Sequence, residues 1–209
     1  MPTTTELTEA YISGHRSLKD CLKKGVINYS ALSRIIGKEL GIEKKTSREA
    51  IVVAARRFRE KIKDGALEDA IIRLFKDSSM EIKNNIVIYT LDKSIYPESL
   101  VEIEKSVKKE KDLFFSIEGT KTITVMIQQK NSRLIEGRFK NNIFKKRANL
   151  SLITLSNPGI EDTPGAIYHL AGLFFENEIN IEEFMSCHDD TLIVIESKNI
   201  AKAINFLKF

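Results

Sequence analysis

One change in apolar spacing limits what this chain can fold into. From about Leu18 to Ser78 apolar residues recur at helical intervals, and from Ile86 onward they gather into short β-rich runs alternating with helical segments. The spacing predicts helices near Leu18–Lys24, Ser30–Leu40, Ser47–Lys63 and Leu67–Lys76. Gly25, Gly41 and Gly65 stand where a left-handed residue closes a helix. The third helix starts with Thr46 as its expected cap and Glu49 three residues later, a capping box. Ile51, Ala55, Phe58 and Ile62 form its packing face, while Arg48, Arg56, Arg59 and Lys63 lie on another side with Val52.

Beyond the change, the expected order is strand Asn85–Leu91, helix Glu98–Lys109, strands Leu113–Glu118 and Lys121–Gln129, and a short helix at Arg133–Phe139. The same order returns: strand Asn149–Ser156, helix Pro164–Asn177, strands Asn180–Cys187 and Thr191–Glu196, and helix Asn199–Leu207. Each unit is the bulk of a split-βαβ module, whose sheet carries helices on one face. The fold class is therefore α+β, an all-helical domain followed by two ferredoxin-like βαββα units. The expected domains are 1–80, 84–148 and 149–209. Whether the strands share one sheet or form two abutting sheets is left open by the pattern.

Charge separates the same two halves. Residues 1–80 carry 16 Lys+Arg against 11 Asp+Glu, and residues 81–209 carry 17 against 18. A basic module joined to a near-neutral one suits a polyanion at one end and a different partner at the other. No apolar run reaches the roughly 18 residues of a membrane span, and residues 1–17 lack the apolar core of a signal peptide. Two cysteines, Cys21 and Cys187, make no disulfide framework. The expectation is a cytoplasmic chain with reduced thiols and no membrane partner.

The loop after strand Asn149–Ser156 reads Asn157, Pro158, Gly159, Ile160, Glu161, Asp162, Thr163, Pro164, Gly165. Thr163 suits a helix cap and Pro164 the first helical position. Gly165 puts no side chain over the first turn, so the amides of Gly165, Ala166 and Ile167 are candidates to receive a carboxylate at the positive end of the helix dipole. Asp162 beside them is a candidate for an ammonium group. The alternative is a turn that merely starts a helix.

Asp162, Pro164, Gly165, Ala166, Ile167, Leu170, Leu173, Phe174, Asn180 and Ile181 together resemble the signature of ACT domains, small amino-acid-sensing regulatory modules, and most of all the regulatory tail of aspartate kinases. The resemblance implies an amino acid bound at a homodimer interface, contacted by the loop before the helix and by the strand that starts at Asn-Ile. Carried across, it points to Asp162, Thr163, Gly165, Ala166 and Ile167, and to Asn180 and Ile181. The first unit keeps the order of elements without the signature and is expected as a structural partner. The resemblance does not extend to a kinase domain, and 80 helical residues do not house one, so no enzyme activity is expected.

In the front half, helix Ser30–Leu40, the turn Gly41–Lys45 and the basic helix from Ser47 resemble a helix-turn-helix. Arg48, Glu49 and Val52 would face base edges, and Lys44, Lys45, Arg56 and Arg59 the phosphate backbone. A helical bundle with a solvated basic side fits the same pattern. Cys187–Asp190 reads as a strand turn rather than a metal site, His169 as a packing residue, His15 as part of a frayed end, and Gly119–Thr122 as a hairpin turn. No cofactor or metal is called for. These features lead to a non-catalytic regulator that senses an amino acid and acts on DNA. Its rivals are a regulatory subunit that binds a biosynthetic enzyme and a dimerisation module without ligand.

Overall fold

A computed structural model describes residues 2–62, 66–95 and 97–208. The chain divides into two compact units, Met1–Asp69 and Ala70–Phe209.

The first unit holds α1 (Thr4–Gly14), α2 (Arg16–Lys24), α3 (Tyr29–Glu39) and α4 (Arg48–Lys61). The segment expected to fray is α1. It opens on a capping box in which Thr3 Oγ1 accepts from the Glu6 amide at 3.2 Å and the Thr3 amide donates to Glu6 Oε2 at 2.7 Å. Its buried Ile12 joins Leu22, Leu32, Ile36, Ile51, Ala55 and Phe58 in the core of this unit. At α4 the cap is Ser47, one residue later than expected, with its hydroxyl accepting from the Ala50 amide at 3.2 Å. Thr46 belongs to the preceding turn: its amide donates to the Ile42 carbonyl and its hydroxyl lies 3.0 Å from that of Thr4. The Lys63 and Gly65 expectations lie outside the described residues. Gly25 ends α2 at φ +73°, and a Cβ there would sit 2.5 Å from an Arg59 guanidinium nitrogen. That cation therefore lies against the negative end of α2.

The next helix, α5 (Ala66–Lys76), spans the division, and its second half belongs to the second unit through Ile71 and Phe75. There follow β1 (Ser79–Asp92), α6 (Pro97–Lys109), β2 (Phe114–Glu118), β3 (Thr122–Gln128) and α7 (Ser132–Phe139), and then β4 (Ile143–Ser156), α8 (Ala166–Glu176), β5 (Glu183–Cys187), β6 (Asp190–Glu196) and α9 (Ile200–Leu207). All pairings are antiparallel, in a single sheet of order β2-β3-β1-β4-β6-β5.

Strands β1 and β4 start at Ser79 and Ile143, well ahead of the expected Asn85 and Asn149, because each does two jobs. The first part of β1 pairs with the end of β4 (Ser79 with Ser156, Lys83 with Leu152), and its second part pairs with the beginning of β4 (Tyr89 with Lys146, Leu91 with Ile143). Each long strand thus opens its own βαββα unit and also serves as the fourth strand of the other. The crossover is marked by register shifts and by Asn85 and Asn149, both left-handed at φ 57° and 58°. Asn tolerates that conformation better than most side chains. At this point the buried Ser151 hydroxyl donates to Asn84 Oδ1 and lies 2.8 Å from the Ser197 hydroxyl.

Alternation along the strands sorts their residues into separate cores. Val87, Tyr89, Leu91, Val125 and Ile127 pack with Leu100, Ile103 and Val107 of α6 and Ile135 and Phe139 of α7. Ile153, Leu155, Ile193 and Ile195 pack with Leu170 and Phe174 of α8, Ala203 and Leu207 of α9, and Ile71 and Phe75 of α5. A third cluster, Ile86, Ile88, Met126, Leu150, Leu152, Leu192 and Val194, is drawn from strands alone and from both halves of the sheet.

One polar link reaches into these cores. Tyr89, fully buried, donates its hydroxyl to Glu136 Oε1 at 2.7 Å, and Lys146 donates to the same oxygen at 2.6 Å. The Lys146 bond first, and the Tyr89 bond next, hold the Glu136 carboxyl below the ordinary glutamate range. Tyr89→Phe is expected to cost about 1 kcal/mol at neutral pH, less than a fully buried bond to a charged acceptor because the Glu136 side chain is 41% exposed. A group with a depressed folded-state pKa stabilises above its unfolded value and loses that contribution as pH falls through the folded one. The penalty should therefore shrink below the ordinary glutamate range, which urea unfolding at pH 7 and pH 3 reads directly. An equal penalty at both would show that the Glu136 charge is not the acceptor that matters.

Candidate functional site

The loop Asn157–Gly165 joins β4 to α8 and is held largely by its own polar groups. Asn157 anchors it three ways. Its amide donates to the Asp189 carbonyl at 2.9 Å, its Oδ1 accepts from the Gly159 amide at 3.0 Å, and its Nδ2 donates to the Leu74 carbonyl of α5 at 3.1 Å. Ile160 points into the core and is buried. The second half of α5 lies over the loop. A Cβ on Gly159 would be 3.0 Å from Leu74 Cδ1 and one on Gly165 3.4 Å from Ile71 Cδ1, while the Phe75 ring stacks on His169 with centroids 5.9 Å apart.

The start of α8 differs from expectation. Its N-cap is Gly165, left-handed at φ 86°, and Ala166 rather than Pro164 is the first helical residue. Thr163 does not cap: its hydroxyl donates backward to the Gly159 carbonyl at 2.7 Å. The Ala166 amide is taken by the Thr163 carbonyl at 3.1 Å, and the Ala166 side chain is buried. The left-handed glycine turns the chain just before the helix, which leaves Pro164 and Thr163 in the loop and α8 without a side-chain cap. Of the three amides considered for an anion, one is thus occupied by the chain itself.

The rim of the loop is acidic. Asp162 is exposed beside Glu161, whose Oε1 lies 2.8 Å from His188 Nδ1, and Asp189 Oδ1 lies 3.3 Å from His188 Nε2. The Glu161 contact first, then the Asp189 and Glu161 charges, raise the His188 pKa. The Ser156 hydroxyl donates to Asp190 Oδ1 in the same corner. No group of three or more His, Cys, Asp or Glu suited to a metal ion occurs among the described residues.

Asn180 and Ile181 lie elsewhere. Cys187, at the end of β5, pairs with Asp190 next to the loop, whereas Glu183, at its start, pairs with Val194, which itself faces Leu152. Asn180 precedes that far end, exposed, with Nδ2 donating to Glu182 Oε1 at 2.9 Å, and Ile181 packs half-buried against the α8–α9 core. Asp162, Thr163, Gly165, Ala166 and Ile167 thus share one end of the sheet, and Asn180 and Ile181 the other. Beside the second group opens a cleft of about 410 Å³ that no sequence motif announced, lined by Arg147, Asn149, Leu150, Glu182, Glu196 and Lys198, among others. Arg147, on its wall, bonds to Glu182 and, at 3.2 Å, to Glu183, and burial raises the Glu183 carboxyl above its usual range.

The basic residues of the helical unit also divide. Lys44 and Lys45 are exposed in the turn between α3 and α4. Arg48 and Val52 line a cleft of about 450 Å³ with Ser30, Ser33, Arg34, Glu49 and Val53. Arg56 lies over the Tyr29 ring at 5.3 Å, and Arg59 is half-buried against Gly25.

No family model and no curated protein matches this sequence. Solved structures do. The chain superposes on the aspartate kinase of Clostridium acetobutylicum with a TM-score of 0.52 at 14% identity, over 62% of this chain and 34% of that one. The strand-and-helix half has an ACT-like fold. The regulatory subunit of aspartate kinase from Thermus thermophilus is similar over 62% of this chain and 95% of its own length, at 9% identity and a TM-score of 0.49. E. coli aspartokinase III in complex with lysine and aspartate is similar over 62% and 32%, at 8% identity and 0.46. The chain spans about a third of the length of the Clostridium kinase. Among the described residues no helix is long and apolar enough to cross a membrane.

Proposed function

We propose that this chain is a non-catalytic regulator of amino-acid metabolism. Its ACT-like half binds a small amino acid, and its helical half meets duplex DNA. The observation that carries the sensing role is the loop Asn157–Gly165: a helix start without a side-chain cap, where the amides of Gly165 and Ile167, though not that of Ala166, favour a carboxylate, beside the exposed carboxylate of Asp162, which suits an ammonium group. Asn180 and Ile181 join such a site only across a homodimer. Strand β5 is an edge, and antiparallel alignment with a second β5 carries the far end of one copy to the loop end of the other. The bond from Asn157 Nδ2 to the Leu74 carbonyl connects loop occupancy to α5.

A thermal-shift panel of the proteinogenic amino acids, each at several concentrations, tests the sensing role. A ligand at about 100 times its Kd adds roughly 2.7 kcal/mol of stability, a shift of several degrees. The shift should disappear in Asp162→Ala, an exposed substitution that leaves the unliganded melting temperature unchanged. A shift that survives this change puts the site elsewhere, and the absence of any shift removes the sensor.

A further inference from the structure

Resting on the reading that the helical half meets duplex DNA, we infer that the contact is made by the cleft between the first turns of α3 and α4, not by the arginine row farther along α4. Ser30, Ser33 and Arg34 of α3 and Arg48, Glu49, Val52 and Val53 of α4 line it together. The side chains of Arg34, Arg48 and Glu49 have no hydrogen-bond or ion-pair partner among the described residues. Arg56 and Arg59 are already engaged, one over Tyr29 and the other against Gly25.

The mixture of groups in the cleft selects the kind of partner. Arg34 with the Ser30 hydroxyl offers donors to a backbone phosphate, and the exposed Lys44 and Lys45 offer flanking ones. Arg48 presents the fork that reads guanine, Glu49 an acceptor for the cytosine amino group, and Val52 and Val53 apolar surface for a thymine methyl. Val53 is 46% exposed, so part of its apolar surface is open to such a contact. A carboxylate among the guanidinium groups disfavours a uniformly anionic partner such as an acidic peptide. It suits a major groove, where acceptors alternate with amino donors.

The test is fluorescence anisotropy of the full chain with a labelled mixed-sequence duplex of about 20 base pairs at roughly 50 mM salt, where phosphate contacts are strongest. Arg34→Ala with Arg48→Ala should weaken binding at least about tenfold and flatten the log–log salt dependence by about one to two contacts. Arg56→Ala should bind like the unaltered chain. All three positions are exposed, and a thermal melt of each variant verifies that the fold persists. If Arg56→Ala loses binding and the double variant does not, the cleft assignment fails while the DNA reading stands. If the unaltered chain binds no duplex, with or without the amino-acid panel, both fall. Displacement of the duplex by polyglutamate at equal charge would overturn the cleft as a groove reader and make the partner a generic polyanion surface.

Discussion

Phe174→Ala should lower the unfolding free energy of the second unit by about 3–5 kcal/mol, the range for deleting a buried aromatic ring. Phe174 is 1% exposed and meets Phe206 edge-on with ring centroids 5.1 Å apart. It also joins α8 to the sheet residues Ile153, Ile193 and Ile195. The loss combines transfer of the ring to water with a cavity that β-sheet neighbours on one side and two helices on the other cannot close. The next residue supplies the control. Phe175 is 82% exposed, so Phe175→Ala should change stability by no more than about 0.5 kcal/mol, as for ordinary surface positions. Urea denaturation of the two variants decides the matter. Similar midpoints would mean that α8 is rotated relative to the packing described above.

The second large effect is expected at Asn157. Asn157→Ala removes an acceptor from the Gly159 amide and a donor from the Leu74 carbonyl in one step. The Leu74 carbonyl keeps the Ser78 hydroxyl at 2.8 Å, so only the part-buried Gly159 amide loses its partner outright, and a loss of about 1–2 kcal/mol is expected. Its position matters more than its size. Hydrogen exchange should accelerate in α5 and in the Pro-Gly loop together, and remain unchanged in α6 and α7, which pack in a separate core. Acceleration confined to the loop would show that Asn157 does not couple it to α5. Asn157→Asp is the companion: it keeps the acceptor for Gly159 and loses only the donor to Leu74, so it should release α5 while sparing the loop.

Much of the site loop was legible in the sequence because its signals are local. Gly165 next to Pro164 marks a sharp change of direction, and the apolar spacing after Ala166 marks a helix. The use of each polar group was not legible. Thr163 could satisfy either the helix start or the Gly159 carbonyl, and only the left-handed turn at Gly165 directs its hydroxyl backward. The shift of the cap from Thr46 to Ser47 has the same origin, since two adjacent hydroxyls compete for one role and Thr4, distant in sequence, engages the first. The capping box Thr3–Glu6 was present as a local pattern, yet α1 carries too weak an apolar stripe to be read as a helix without the core that receives Ile12.

By itself the amino-acid sequence determined the class of most segments: helices from Leu18 to Ser78, then strand, helix, strand, strand, helix in two rounds, with the glycines and prolines that punctuate them. These follow from backbone preferences and from periodicity, which act over a few residues. Only the tertiary structure decided that β1 and β4 each serve both units. The short, charge-rich stretches Ser79–Lys83 and Ile143–Arg147 become strands because a partner strand satisfies their backbone groups and a core receives Ile82 and Ile143. The same holds for the placement of Asn180 at the far end of β5, for α5 over the Pro-Gly loop, and for the separation of Arg34 and Arg48 from Arg56 and Arg59. Each depends on what a distant part of the chain brings alongside, and no local spacing carries that information.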